Sequence, residues 1–215
     1  MSERILHVIG SPRGDRSRSV KVAQRLIAGL VAANPDAVVE TLNVCEAELP
    51  ALTGPVIEGR YALIEGREVA DEVRAAWAQI GAAVAHFLSF DCVVFSVPMW
   101  NFGIPWQLKQ YIDTITQPGM AFRVSETGVE GLGAGKRAIL VASGALDIRP
   151  GAPGAELDHQ VRFMQAWLGF IGITDLHVVH LRPTYGPPEA VEAAMDEAYA
   201  SAEALVADLS RASRV

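Results

Sequence analysis

The chain has 215 residues, half of them apolar, and carries a net charge of −7. That acidity excludes a basic footprint for nucleic acid or an anionic membrane, and no uninterrupted apolar stretch approaches the roughly 20 residues of a membrane span. The N-terminal MSERILHVIG enters an apolar run at once, without a secretory h-region, so the expectation is one cytoplasmic domain over 1–215.

In chain order, Arg4–Ile9 reads as a short strand stopped by Gly10-Ser11-Pro12. From Arg18 to about Ala33, Val22, Leu26, Ile27 and Leu30 recur at helical spacing. Val38–Val44 follows as a second strand. Residues 46–65, with Pro50, Gly54, Pro55 and Gly59, read as an irregular excursion. Arg67–Phe90 is expected as one long amphipathic helix. Cys92–Ser96 is a third strand, fully apolar but for its last residue. Pro105 suits the first helical position of a helix carrying Leu108, Tyr111, Ile112 and Ile115. Phe122–Leu132 reads as a hairpin or loop with Glu126-Thr127-Gly128 as its turn. Arg137–Ala142 is a fourth strand, 156–170 a helix, Leu176–Leu181 a fifth strand, and Glu189–Leu209 an alanine-rich closing helix.

Five apolar strands alternating with helices imply an α/β fold with a parallel sheet covered on both faces. Cys45 and Cys92 read as reduced, buried, small hydrophobes. His177 and His180 sit three apart on a strand and face opposite sides, so no metal site is expected.

Such sheets bind ligands beyond the carboxyl ends of their strands. The loops after Ile9, Ser96 and Ala142 are where the sequence turns unusual. Residues 10–19 (GSPRGDRSRS) bring hydroxyls at Ser11, Ser17 and Ser19 and arginines at 13, 16 and 18 to a helix start, a natural anion site. The pattern is neither GxxxxGK[ST] nor GxGxxG, which disfavours triphosphate hydrolysis and the dinucleotide mode. Pro98–Pro105 (PMWNFGIP) offers apolar groups that suit a flat aromatic ring, with Asn101 for its polar edge. Ser143-Gly144-Ala145-Leu146 lets backbone approach a ligand closely. Each has a plainer reading alone: a capped loop, a packed crossover, a simple turn. Together they match a mononucleotide with a large planar head, and FMN fits best.

Residues 98–122 (PMWNFGIPWQLKQYIDTITQPGMAF) closely resemble the corresponding stretch of the FMN-dependent NADH-azoreductases, also described as FMN-dependent NADH:quinone oxidoreductases. The resemblance continues through Arg123…Leu132, Trp167…Asp175, Tyr185-Gly186-Pro187 and the Ser11/Ser17/Ser19 spacing. It implies a flavodoxin-like three-layer sandwich with strand order 2-1-3-4-5, bound FMN, and a homodimer with its active sites near the interface. By that resemblance Ser11, Ser17, Arg18 and Ser19 hold the phosphate. Met99, Trp100, Asn101 and Phe102 sit against the isoalloxazine, and Ser143, Gly144, Ala145 and Leu146 close its other edge. This chain departs from the family at 143–146, where Ser-Arg-Gly-Gly is usual, at Trp100, more often Tyr, and at Val124, aromatic in some relatives.

The implied reaction is hydride transfer from NADH or NADPH to flavin N5 and on to quinones or azo compounds, by a ping-pong scheme. No catalytic side chain is nominated; Asn101 is expected to tune the flavin, and Phe122 and Phe163 to line the acceptor pocket. The alternatives are a flavodoxin-type electron carrier and a non-catalytic sensor or scaffold.

Overall fold

A computed structural model describes residues 2–126 and 128–212. β1 (Arg4–Ile9), β2 (Val38–Asn43), β3 (Cys92–Pro98), β6 (Arg137–Ser143) and β7 (Asp175–Leu181) form one parallel sheet in the order β2-β1-β3-β6-β7. The remaining strands, β4 (Phe122–Ser125) and β5 (Gly128–Gly131), make a separate antiparallel hairpin. The expected order 2-1-3-4-5 is therefore the order of the sheet strands once the hairpin is left out of the numbering. Thr127, expected in the hairpin turn, lies outside the described residues.

Alternating side chains of the strands feed two cores, as a sheet buried on both sides requires. Leu6, Val8, Phe95 and Leu140 pack against α3 (Asp71–Leu88), α4 (Trp106–Ile115) and α5 (His159–Phe170). Trp167 of α5 sits at the centre, its ring 6.0 Å from Phe87 and 5.9 Å from Phe95, its indole N–H donating to Thr116 Oγ1 at 2.9 Å. On the opposite face Ile5, Val94, Ile139, Val141 and Val179 meet α1 (Arg18–Ala33) and α6 (Pro188–Ala212). Ala194, Ala198 and Ala202 recur every four residues along α6 and form its buried stripe. No helix among the described residues is long and apolar enough to cross a membrane.

Four expectations need correction. Residues 46–65 are not irregular throughout, because Gly54–Ile64 form α2, with Pro55 in its first turn. Gly59 is tolerated within it because a Cβ there would meet Val73 Cγ1 at 2.2 Å. The long helix begins at Asp71, not Arg67: Gly66 takes φ 70° and the Arg67 amide donates to Ala62 O at 2.8 Å, closing α2. Pro105 is the N-cap of α4, not its first helical residue, since its ψ of 147° is extended. The helix expected at 156–170 is split into a 3-10 turn (Ala155–Leu157) and α5, with Asp158 capping the latter by accepting from Val161 N at 3.0 Å.

The hairpin docks where backbone meets backbone. A Cβ on Gly131 would stand 2.1 Å from Gly172 N, and Gly172 itself has φ 89°. Cys92 is buried, its thiol pushed up to about 12, first by burial. Cys45 is only partly buried, because it follows β2 at the sheet edge.

Candidate functional site

The register of the sheet brings the three loops together. Ile9 pairs with Ser96 and Pro98 with Ser143, and beyond those pairs the Gly10 amide donates to Ser96 O at 3.0 Å and the Met99 amide to Ser143 O at 2.6 Å. A cleft of about 170 Å³ opens between them.

From the first loop Ser11, Ser17 and Arg18 line this cleft. Ser11 is 1% exposed and its Oγ has no hydrogen-bond partner among the described residues. A buried hydroxyl without a partner costs about 1–3 kcal/mol, so a ligand acceptor there would recover a real loss. Ser17 caps α1, its Oγ accepting from Val20 N at 3.4 Å and lying 3.1 Å from Ser19 Oγ. Ser19 is buried behind Ser17 and does not line the cleft. Arg18 is held by a bond from Nη1 to Thr184 O at 3.0 Å. The first turn of α1 holds no acidic residue, so its positive dipole end is left uncompensated there.

From the second loop Met99 and Trp100 reach the cleft. Trp100 and Gly103 exchange two backbone bonds of 3.0 Å, and between them Asn101 and Phe102 both have positive φ, 47° and 69°. This is a two-residue turn of the mirror-image type. Asparagine tolerates the left-handed region, but phenylalanine does not, and strain of order 1 kcal/mol persists only where surroundings impose it. Here the imposing contact is the His159 amide, which donates to Phe102 O at 3.1 Å. The turn presents Trp100 and Phe102 to solvent, each about two-fifths exposed.

Asn101 faces a second cavity, of about 680 Å³, bounded also by Ile104, Trp106 and Phe163. Trp100 borders both cavities. Phe122 is elsewhere, its ring 4.7 Å from Phe170 beside the hairpin. From the third loop Ser143, Gly144 and Ala145 line the small cleft, whereas Leu146 and Phe102 are exposed and line neither cavity.

Thr184, Arg182 and the His7–Ser96 pair escaped the sequence. Arg13 and Thr184 also line the cleft; Arg13 belongs to the basic loop already singled out, while Thr184 follows β7 with no motif to mark it. Behind the third loop, Arg182 is buried at 1% exposure, with Nη1 donating to Asp158 Oδ2 and Nη2 to Gln160 Oε1, both at 2.7 Å. Burial pushes the Asp158 carboxyl up, but the bonds from Arg182 and the Val161 amide outweigh that and hold it below the usual range. Beneath the first loop, His7 Nε2 lies 2.5 Å from Ser96 Oγ, and burial drives the imidazole down to about 4.

The chain is similar to known proteins over nearly its whole length. A sequence model of a family described as having a flavodoxin-like fold matches residues 3–206. The chain is 37% identical to FMN-dependent NADH:quinone oxidoreductase 2 of Pseudomonas syringae pv. tomato, over 94% of this chain and 97% of that protein. It is 41% identical to the FMN-dependent NADH:quinone oxidoreductase of Nitratidesulfovibrio vulgaris, over 90% and 93%. Among solved structures it resembles an azoreductase from Bacillus anthracis with a TM-score of 0.86 at 26% identity, covering 95% of this chain and 98% of the other.

Proposed function

Since the chain belongs to the flavodoxin-like family that includes these FMN-dependent NADH:quinone oxidoreductases, we propose that it is an FMN-dependent oxidoreductase carrying reducing equivalents from NADH to quinones and azo compounds. The observation that carries the reading is the partnerless Ser11 hydroxyl at the base of a cleft walled by Trp100 and headed by a helix N-terminus. A phosphate supplies the acceptor that hydroxyl lacks, and an aromatic wall suits the planar ring joined to it. The residues present fit FMN.

In this reading Ser11, Ser17 and the start of α1 bind the phosphate, with Arg13 and Arg18 adding charge attraction. Ser19 acts through Ser17, fixing its hydroxyl by their mutual hydrogen bond. Trp100 and Met99 hold the ring, Ser143, Gly144 and Ala145 close its other edge by backbone, and the Asn101 carboxamide bonds its polar rim. When bound, FMN supplies hydride transfer at N5, first from the nicotinamide and then to the acceptor, which gives ping-pong kinetics if both use one face. The cavity beyond Trp100 receives donor and acceptor in turn, with Phe163 and Trp106 as its apolar walls. No side chain is given an acid–base role, since the cavity is open and quinone or azo groups take their protons from water. Trp106 is 64% exposed, and we read this apolar rim as the seat of a second copy of the chain; sedimentation equilibrium showing a monomer would overturn that.

The test is an absorbance titration with FMN followed by anaerobic NADH. Bleaching of the flavin band, and its return on adding a quinone, is the expected result. A flavin that binds but stays oxidised makes the protein an electron carrier instead, and no binding at all removes the cofactor reading.

A further inference from the structure

The buried Arg182 lies outside the machinery described so far, yet it packs under the third loop and its hydrogen-bond acceptors lead to the second. A guanidinium out of water is costly unless its donors are matched, and an apolar side chain of the same size is often no less stable there. Its Nη1 and Nη2 are matched, by Asp158 and Gln160; its Nε has no partner among the described residues. The two acceptors lead to the second loop. Gln160 Nε2 donates to Val97 O at 3.0 Å, one residue before Pro98, and His159, between Asp158 and Gln160, holds Phe102 O. The remaining face of Arg182 lies under the third loop: a Cβ built on Gly144 would meet Arg182 Nε at 3.1 Å and Cδ at 3.5 Å. Gly144 is itself tied to β7 and its extension, its amide donating to Leu181 O at 3.2 Å and its carbonyl accepting from Thr184 N at 2.9 Å.

We propose that Arg182 is a positioning residue for cofactor binding, which from beneath the cleft fixes the third loop at Gly144 and the Trp100–Gly103 turn in one mutual register. The inference rests on the FMN reading above. It also accounts for the glycine at 144. Gly144 does not have the positive φ that would forbid a side chain, so backbone conformation does not demand glycine there. What demands it is a neighbour that cannot give way, because two bonds of 2.7 Å pin the guanidinium. With the guanidinium pinned, a Cβ at 144 must be accommodated by a shift of the loop itself, away from its place against Arg182.

The experiment is a double-mutant cycle read as FMN dissociation constants by fluorescence quenching, alongside the thermal midpoint of each protein without FMN. Gly144→Ala is expected to weaken FMN binding about tenfold. Arg182→Met made together with Asp158→Asn leaves no unpaired buried carboxylate and retains a capping side chain for α5; it is expected to weaken binding by a similar factor. Adding Gly144→Ala to that pair is expected to cost no further affinity, because a methionine side chain yields where the pinned guanidinium does not. Wild-type affinity in Gly144→Ala overturns the proposal whatever the Arg182 variants do. So do independent, multiplying effects in the triple variant, or variants whose midpoint falls while FMN affinity holds, the mark of a purely structural brace. Failure of the wild-type protein to bind FMN is a different result and removes the cofactor reading instead.

Discussion

Acidification should loosen this fold through one buried histidine. His7 is 3% exposed, beside Ser96 Oγ, and burial lowers its imidazole to about 4 from an unfolded value near 6.5. Between those values the unfolded chain binds a proton that the native one refuses, so stability falls as pH falls. From pH 7.5 to pH 5 the linkage amounts to about 2 kcal/mol, and by pH 4 to about 3 kcal/mol. Carboxylates also titrate in that range, so the useful quantity is the difference from His7→Gln, which places an amide near Ser96 and never ionises. Urea unfolding of both proteins without cofactor, followed by tryptophan fluorescence, should find the wild type more stable at pH 7.5. That advantage should shrink by about 2 kcal/mol at pH 5. An advantage that stays constant over this range to within about 0.5 kcal/mol would refute the reasoning, because it would mean that His7 takes its proton as readily folded as unfolded.

Ser11→Ala should raise the FMN dissociation constant about tenfold while stabilising the cofactor-free protein by about 1–3 kcal/mol, since it removes a buried hydroxyl that has no partner among the described residues; fluorescence quenching and thermal melts check the two halves. Asn101→Gly keeps the left-handed turn while removing the carboxamide, and should shift the reduction potential of bound flavin in a dye-equilibrium titration; an unchanged potential and turnover would remove Asn101 from the site. Gly131→Ala puts a methyl 2.1 Å from the Gly172 amide nitrogen, and should cost about 3 kcal/mol in urea unfolding as the hairpin is pushed off.

The sheet was readable from Arg4–Ile9, Cys92–Ser96 and Arg137–Ala142 because strands buried on both faces must be apolar almost throughout, a pattern nothing on the surface imitates. α2 was not, for the opposite reason: Ile57, Tyr61 and Ile64 are all exposed, so its large apolar residues do not mark the face it buries, which is made by the small Gly59 and Ala62, and its glycine answers to Val73, distant in any local window. The candidate loops were legible as residue types, and the structure brings Ser11, Ser17, Arg18, Met99, Trp100, Ser143, Gly144 and Ala145 around one cleft. It separates Ser19, Asn101, Phe102 and Leu146 from that cleft, because alternate residues of a turn or helix start point different ways. Arg182 was invisible, since an arginine at a strand's end ordinarily reads as solvated, and its acceptors lie 24 and 22 residues earlier in the chain.

Trp100 borders both cavities and Trp106 only the larger one, while Trp77 and Trp167, the other two of the four tryptophans, are buried in the packing of the helices. The molecule thus carries a built-in optical reporter with two channels. A ligand that does not absorb in the tryptophan emission band, confined to the small cleft, would change Trp100 and leave Trp106 alight; one entering the larger cavity would change both. With Trp106→Phe as the blank, steady-state emission alone would distinguish the order in which the two compartments fill, with no label attached.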